Sequence, residues 1–288
     1  MRSLLFVPAD SERKQEKGLV SGADALILDL EDSVAPSAKA EGRRIAAQFL
    51  RANAGTAQLL YVRVNDFSTG LTEADLAAVM PGRPHGIMLP KAVGADDVAR
   101  LDVALRVHEA ENGIADGATR ILPLITETAQ SLLLAATHAR PDPRLSGITW
   151  GAEDLSASVG ASSYRDADGR LTPLFQHART MTLLAAAAAG VVAVDTVNPD
   201  FRDEQGFARE CAEALRDGFT AKMAIHPAQV PIINAAFTPT PEALAHARAV
   251  IEAFASAGDA GVVAIGGRMY DRPHVRLAER LLARVPRS

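Results

Sequence analysis

Acidic side chains gather at the ends of apolar runs in this chain: Asp29, Glu31, Asp32, Glu127, Glu153, Asp154 and Asp195 each sit where a strand-like stretch gives way to polar sequence. Two carboxylates arriving from neighbouring strands make a hard-oxygen site of the kind magnesium prefers, with positions left for water and a chelating 2-oxo acid. Glu127, in ITETAQ, and Asp154, in GAEDLSAS, are the candidate metal pair for Mg²⁺. Each also has a plainer explanation. Glu127 falls where a helix opens, so it can serve as a first-turn acid stabilised by the helix dipole, with Thr126 as N-cap. Asp154 is itself a good N-cap for a helix beginning at Leu155. Spacing alone leaves both explanations open.

Arg63, in LLYVRVN (59–65), is the cationic counterpart. Side chains alternate along a strand, so Leu60, Val62 and Val64 share one face while Tyr61, Arg63 and Asn65 share the other. If the first set meets surrounding helices, the second points into a barrel. An inward arginine is costly to desolvate without a partner. Its partner is either an anionic ligand or an ion pair with Glu31 or Asp29, and the two roles are compatible.

Eight apolar runs carry these residues: 3–10, 25–32, 59–65, 86–91, 120–127, 147–154, 191–198 and 221–227. Most are followed by Ala/Leu/Arg/Glu-rich sequence at helical spacing, which implies parallel βαβ units. The expected fold class is α/β, a (β/α)8 TIM barrel with a C-terminal helical extension. Residues 1–236 form the barrel, with 228–237 as its last helix; residues 237–288 form a lid or subunit-contact arm. In that extension Thr240 and Pro241 form an N-cap and first-turn pair. A glycine-rich stretch (258–273) then separates the helix they open, which runs to about Ala257, from a final amphipathic helix. Gly190 is the expected stop of the Ala-rich helix before the seventh strand.

Composition narrows the function. A net charge of -5 argues against general nucleic-acid binding, and no apolar run is long enough for a membrane span. The amino-terminal run reads as strand one and not as a signal peptide, so a cytoplasmic protein is expected. One cysteine, Cys211, excludes an intrachain disulfide and a multi-cysteine zinc site; on its helix it reads as a small buried apolar residue. His226 reads as a core or supporting histidine, not a ligand. No GxGxxG, Walker or HExxH pattern is present, so nucleotide redox and P-loop chemistry have no support.

In order along the chain, RSLLFVPA, SGADALILDLEDSVAP, YVRVN, GIMLPK, LITETA, GAEDLSASVGA, VDTVNPDFRDEQGF, AIHPAQ and GGRMYDRP resemble the citrate lyase β-subunit-like family, which includes malyl-CoA and citramalyl-CoA lyases. The resemblance runs from residue 2 to about residue 282. It implies a magnesium-dependent (β/α)8 barrel assembled as a homotrimer or hexamer. It places the metal ligands on Glu127 and Asp154 and the arginine for substrate carboxylate and oxyanion on Arg63. Acyl-CoA contacts fall on Arg13 and Lys17. The catalytic acid/base, contributed in several members by a neighbouring subunit, falls on Asp271, which must be buried to be useful as a base. Two departures stand out: PADSERKQEKG lacks the glycine–asparagine turn frequent in relatives, and the residues just before Asp271 differ from many members.

The activity expected from the resemblance is a Mg²⁺-dependent carbon–carbon lyase acting on a 3-hydroxyacyl thioester, with acetyl-CoA or another acyl-CoA and a 2-oxo acid as its products or substrates. Besides a metal-free barrel whose acids merely cap helices, two rivals remain at this point. One is a CoA-independent pyruvate or 2-oxo acid aldolase. The other is a carrier-dependent β subunit of a citrate lyase complex, inactive alone.

Overall fold

The computed structural model describes residues 1–284. Eight parallel strands form one sheet: β1 (Ser3–Pro8), β2 (Ala25–Asp29), β3 (Leu59–Arg63), β4 (Gly86–Leu89), β5 (Arg120–Pro123), β6 (Gly147–Ile148), β7 (Val192–Asp195) and β8 (Ala221–Ala224). Their order is β5-β4-β3-β2-β1-β8-β7-β6. Backbone hydrogen bonds join the two ends of that sheet: Ile121 N to Arg144 O at 2.8 Å, Ser146 N to Ile121 O at 2.9 Å and Thr149 N to Pro123 O at 3.1 Å. The sheet thereby closes into a (β/α)8 barrel with its seam between β5 and β6. All eight strands fall within the apolar runs of the sequence but are shorter, because the polar end of each run leaves the ladder to build the mouth.

Strand alternation fills the interior. Leu4, Ile27, Tyr61, Met88, Leu122, Val194 and Met223 pack together almost without solvent, each burial contributing roughly 1.5–3 kcal/mol. Gly86 makes room for the Tyr61 ring, since a Cβ there would lie 2.5 Å from Tyr61 Cε1. The alternation predicted for β3 holds through Arg63. It fails at Asn65, which lies beyond the strand: its Nδ2 donates to Asp75 Oδ2 at 2.7 Å and to Leu30 O at 3.2 Å, away from the barrel mouth.

The outer layer comprises α1 (Glu12–Leu19), α2 (Lys39–Ala52), α3 (Thr72–Val79), α4 (Gly94–Glu111), α5 (Ala129–Leu133), α6 (Glu153–Val159), α7 (Pro173–Ala189), α8 (Glu204–Asp217) and α9 (Gln229–Phe237). Gly190 ends α7 at φ 71°, as its position implied. Two caps differ from expectation. The N-cap of α5 is Thr128, not Thr126; Thr128 and Ser131 exchange side-chain and main-chain hydrogen bonds in a capping box. Glu127 therefore precedes the helix. In turn, α6 opens at Glu153, so Asp154 lies in its first turn and is not the N-cap.

Contacts divide the chain after Ala235. The second unit contains α10 (Pro241–Ser256), the antiparallel hairpin β9 (Val262–Ile265) and β10 (Arg268–Asp271), and α11 (Arg272–Leu282). Thr240 caps α10 by accepting from Ala243 N at 3.2 Å, with Pro241 in the first turn. Gly266 and Gly267, at φ 56° and 77°, supply the two left-handed residues that a tight hairpin turn needs. Ala247, Val250, Phe254 and Ala278 form this unit's own small core. No helix among the described residues is long and apolar enough to cross a membrane.

Candidate active site

At the carboxyl ends of the barrel strands lies a cavity of about 360 Å³ lined wholly by residues of the first unit. Phe6 and Pro8 come from β1, Asp29 from β2 and Arg63 from β3; Asp32 and Ser33 follow β2, and Glu127 follows β5. Trp150 to Asp154 form the turn from β6 into α6, while Thr196, Val197, Tyr164 and Met223 complete much of the wall. Glu127, Asp154 and Arg63 thus face one space from three strand ends.

Arg63 is held as a fork. Its Nε and Nη2 each donate to one oxygen of Asp29 at 2.7 Å, and Nη1 lies 3.0 Å from Glu31 Oε2. Burial alone would disfavour the guanidinium charge, but Asp29 and Glu31 outweigh it and raise the pKa further. The same pairing holds the Asp29 carboxyl below its ordinary range despite desolvation. The Phe6 ring centroid sits 4.8 Å from the guanidinium carbon. A guanidinium has five N–H donors; two go to Asp29, one faces Glu31, Nη1 also lies 3.7 Å from Asp32 Oδ2, and the second Nη2 N–H is left for a ligand in the cavity. Both partners named from strand alternation are present together.

Around Glu127 the charge balance reverses. Asp29, Glu31, Asp32, Glu127 and Asp154 are five carboxylates; Arg63 and Lys91 pair with four of them, while Glu127 accepts the Lys91 main-chain N–H. Lys91 Nζ contacts Glu31 Oε1 and lies 3.4 Å from Asp154 Oδ1, and its main-chain N–H donates to Glu127 Oε2 at 2.6 Å. Lys91 holds φ 51°, a left-handed conformation uncommon outside glycine. That backbone aims its N–H at the Glu127 carboxylate. Burial, followed by the negative charge of Glu31, pushes the Glu127 carboxyl up to about 8, against the lowering pull of Arg63; Asp154 raises it further. Burial likewise leaves the Glu31 carboxyl raised even with Arg63 and Lys91 beside it. Gly151 permits this crowding, because a Cβ there would stand 3.0 Å from both Cγ and Oε1 of Glu127.

Excess buried negative charge of this kind fits a divalent cation. No group of three or more His, Cys, Asp or Glu side chains forms a ready-made cage among the described residues. Magnesium does not need one: it is commonly held by one or two carboxylates, with water and substrate oxygens completing its shell. The donor set is hard oxygen throughout, as magnesium requires.

A second ion cluster stands behind the cavity wall. Trp150 Nε1 donates to Asp195 Oδ1 at 2.7 Å, and Arg179 and Lys222 lie 3.2 and 3.4 Å from the same carboxylate. Lys222 Nζ also donates to Thr196 O at 2.8 Å. Although desolvation opposes the charge of Asp195, Lys222 and Arg179 hold its carboxyl below the usual range. Asp195, one of the strand-end acids, is therefore occupied in fixing Trp150 and β7.

The other residues singled out from sequence lie elsewhere. Asp271 belongs to the second unit, where its side chain is 52% exposed and bonded to His274 Nδ1 in the N-terminal capping box of α11. It is not buried as expected of a base. Arg13 and Lys17 are exposed on α1 and form no ion pair among the described residues. His226 is half-buried and stacked on Phe201 at 4.5 Å, not part of the core. Cys211 is fully buried, and burial pushes its thiol up to about 12, so it is inert. Sequence reasoning missed Lys91, Trp150 and Tyr164. For Lys91 the available signal was a lysine ending the apolar run GIMLPK, where a strand reaches the mouth.

Comparison with known proteins is consistent along the whole chain. Residues 2–227 match the HpcH/HpaI aldolase/citrate lyase family. A citrate lyase subunit beta-like protein of Mycobacterium tuberculosis is 37% identical over 280 residues, covering 97% of this chain and 94% of the relative. The mitochondrial citramalyl-CoA lyase of Rattus norvegicus is 34% identical, covering 98% of this chain and 85% of the relative. Among solved structures, the CitE protein of M. tuberculosis in complex with magnesium, acetoacetate and coenzyme A superimposes with a TM-score of 0.76 at 36% identity, covering 98% of this chain and 97% of that one.

Proposed function

The chain belongs to the HpcH/HpaI aldolase/citrate lyase family, and with it to the carbon–carbon lyases; from that premise we propose that it is a Mg²⁺-dependent lyase that cleaves or forms a 3-hydroxyacyl thioester from acetyl-CoA, or another acyl-CoA, and a 2-oxo acid. One observation carries this reading: Glu127, Asp154 and Arg63 line a single cavity at the carboxyl ends of the barrel strands. A relative with magnesium and coenzyme A bound, aligned over nearly the whole chain, supports the choice of ion and thioester.

Glu127 and Asp154 would hold the ion. When bound, it supplies Lewis acidity at the carbonyl of the oxo acid. Arg63 offers its remaining N–H to the oxo-acid oxygen, which gains negative charge as the carbon–carbon bond forms and, in cleavage, carries that charge before the bond breaks. Asp29 keeps that guanidinium charged and oriented, so little reorganisation is needed during reaction. Phe6, Leu124, Val197 and Met223 give the cavity apolar walls that limit water around the reacting atoms. In the condensing direction Asp271 takes a proton from the thioester methyl and the new alkoxide oxygen takes one from solvent; in cleavage the hydroxyl proton leaves to solvent and Asp271 returns one to that carbon. This role requires a buried Asp271, and assembly into a trimer or hexamer would provide the burial. Arg13 and Lys17 would hold the CoA phosphates.

The test is incubation of the purified protein with Mg²⁺, acetyl-CoA and a panel of 2-oxo acids, with products identified by mass. A 3-hydroxyacyl-CoA adduct is expected. Condensation of a 2-oxo acid with aldehydes in the absence of CoA would replace this reading with the aldolase. Asp271→Asn is expected to keep oxo-acid binding and lose turnover; near-normal rates would remove Asp271 from the mechanism.

A further inference from the structure

Lys91 stands at the centre of the rim cluster without a place in the mechanism above. Its main chain and side chain act on different carboxylates. The N–H, presented by the left-handed backbone, binds Glu127. The ammonium contacts Glu31 and lies 3.4 Å from Asp154. Glu31 is nearly enclosed and Asp154 one-third exposed, so the ammonium bridges a buried acid and one at the cavity edge.

We propose that Lys91 is a positioning residue: an internal counter-ion that holds Asp154 in the cation-free protein and must release it when a divalent cation enters. This rests on the reading of Glu127 and Asp154 as the cation's ligands. Two charges of like sign cannot share Asp154 at short range without repulsion. Glu31 gives the displaced ammonium a partner to keep, so release need not leave Lys91 unpaired in a half-buried setting. Lys91 thus stabilises the empty site and weakens its hold on the cation. The Glu127 contact is made by the main chain, and replacement of the side chain need not disturb it. The two functions of the residue are therefore separable by mutation.

A merely structural lysine and a competing counter-ion predict opposite signs. Direct titration of Mn²⁺, a spectroscopically visible stand-in for Mg²⁺, into purified Lys91→Gln is expected to show binding tighter by on the order of tenfold. The same variant should melt at a lower temperature than wild type in chelator, with the difference shrinking when Mn²⁺ is added. Lys91→Arg, which keeps the charge, should bind Mn²⁺ within a few-fold of wild type. Unchanged or weaker Mn²⁺ binding in folded Lys91→Gln, or equal tightening in Lys91→Arg, overturns the proposal.

Failure of the metal reading looks different: wild type would then show no Mn²⁺ site that Glu127→Gln removes, whatever Lys91 does.

Discussion

Two ion clusters sit within one barrel, and they are built on opposite terms. Behind the wall, Asp195, Asp217 and Glu210 share Lys222, Arg179 and Arg165, and Asp195 also accepts from the Trp150 indole and the Thr196 N–H. At the rim, five carboxylates share Arg63 and Lys91, and Arg63 is already committed to Asp29. Burial is comparable, but the outcomes diverge: the Asp195 carboxyl is held below its usual range, whereas the Glu127 carboxyl is pushed up to about 8. Burial by itself does not mark a functional acid, since both groups are buried. An unmet demand for positive charge does, and that demand is what a cation or a charged substrate can satisfy.

Breaking each cluster should reveal the asymmetry. Asp195→Asn takes from the fully buried Lys222 the nearer of its two carboxylates, leaving Glu210 at 3.8 Å, and is expected to destabilise the protein by about 3–5 kcal/mol, measured by urea denaturation. A loss below about 1 kcal/mol would mean that the inner cluster is not structural. Arg63→Lys keeps the charge but loses the fork, and should lower kcat by about 10²–10³-fold, or roughly 3–4 kcal/mol, with little change in fold. A variant with near-wild-type kcat would take Arg63 out of the charge-stabilising role.

Glu127→Gln should do the reverse of Asp195→Asn. With its carboxyl raised from the ordinary 4.5 to about 8, Glu127 in the folded cation-free protein keeps a proton that the unfolded chain has released. Stability in chelator therefore falls as pH rises from about 4.5 to about 8, reaching a loss on the order of 2–3 kcal/mol near neutrality. Glu127→Gln removes this slope and should be the more stable protein at pH 8. Parallel melting curves against pH for variant and wild type would show that the rim is not charge-frustrated.

His138, buried outside both clusters, sharpens the contrast at the smallest scale. Desolvation lowers its pKa from 6.5 to about 4. The unfolded chain then binds the extra proton, so stability present above pH 6.5 is lost as pH falls towards 4. His138→Asn should flatten this acid limb by roughly 1–2 kcal/mol. An unaltered limb would assign acid sensitivity instead to the carboxylates held below their usual range, Asp29 and Asp195.

Much of the barrel was readable from sequence because one period runs through it. The apolar runs located all eight strands, and alternation placed Arg63 inward next to Asp29 and Glu31. Thr240 and Pro241 marked the start of α10, as capping chemistry requires. What escaped depends on main-chain geometry that residue types do not encode. Nothing in PKAVG announces that Lys91 adopts φ 51° and turns its N–H to an acid 36 residues away. Nor did the sequence separate Thr126 from Thr128 as the cap of α5. That choice matters, because it leaves Glu127 outside the helix and free to face the cavity. The catalytic expectation for Asp271 came from resemblance alone, because no local pattern distinguishes it from an ordinary N-cap aspartate.

Titration of Mn²⁺ into wild type, Glu127→Gln and Asp195→Asn at pH 8, followed by electron paramagnetic resonance, tests the distinction between the clusters most directly. One saturable site is expected in wild type and in folded Asp195→Asn, and none in Glu127→Gln. A site that survives Glu127→Gln with unchanged affinity would contradict the assignment of the rim carboxylates as the cation's ligands.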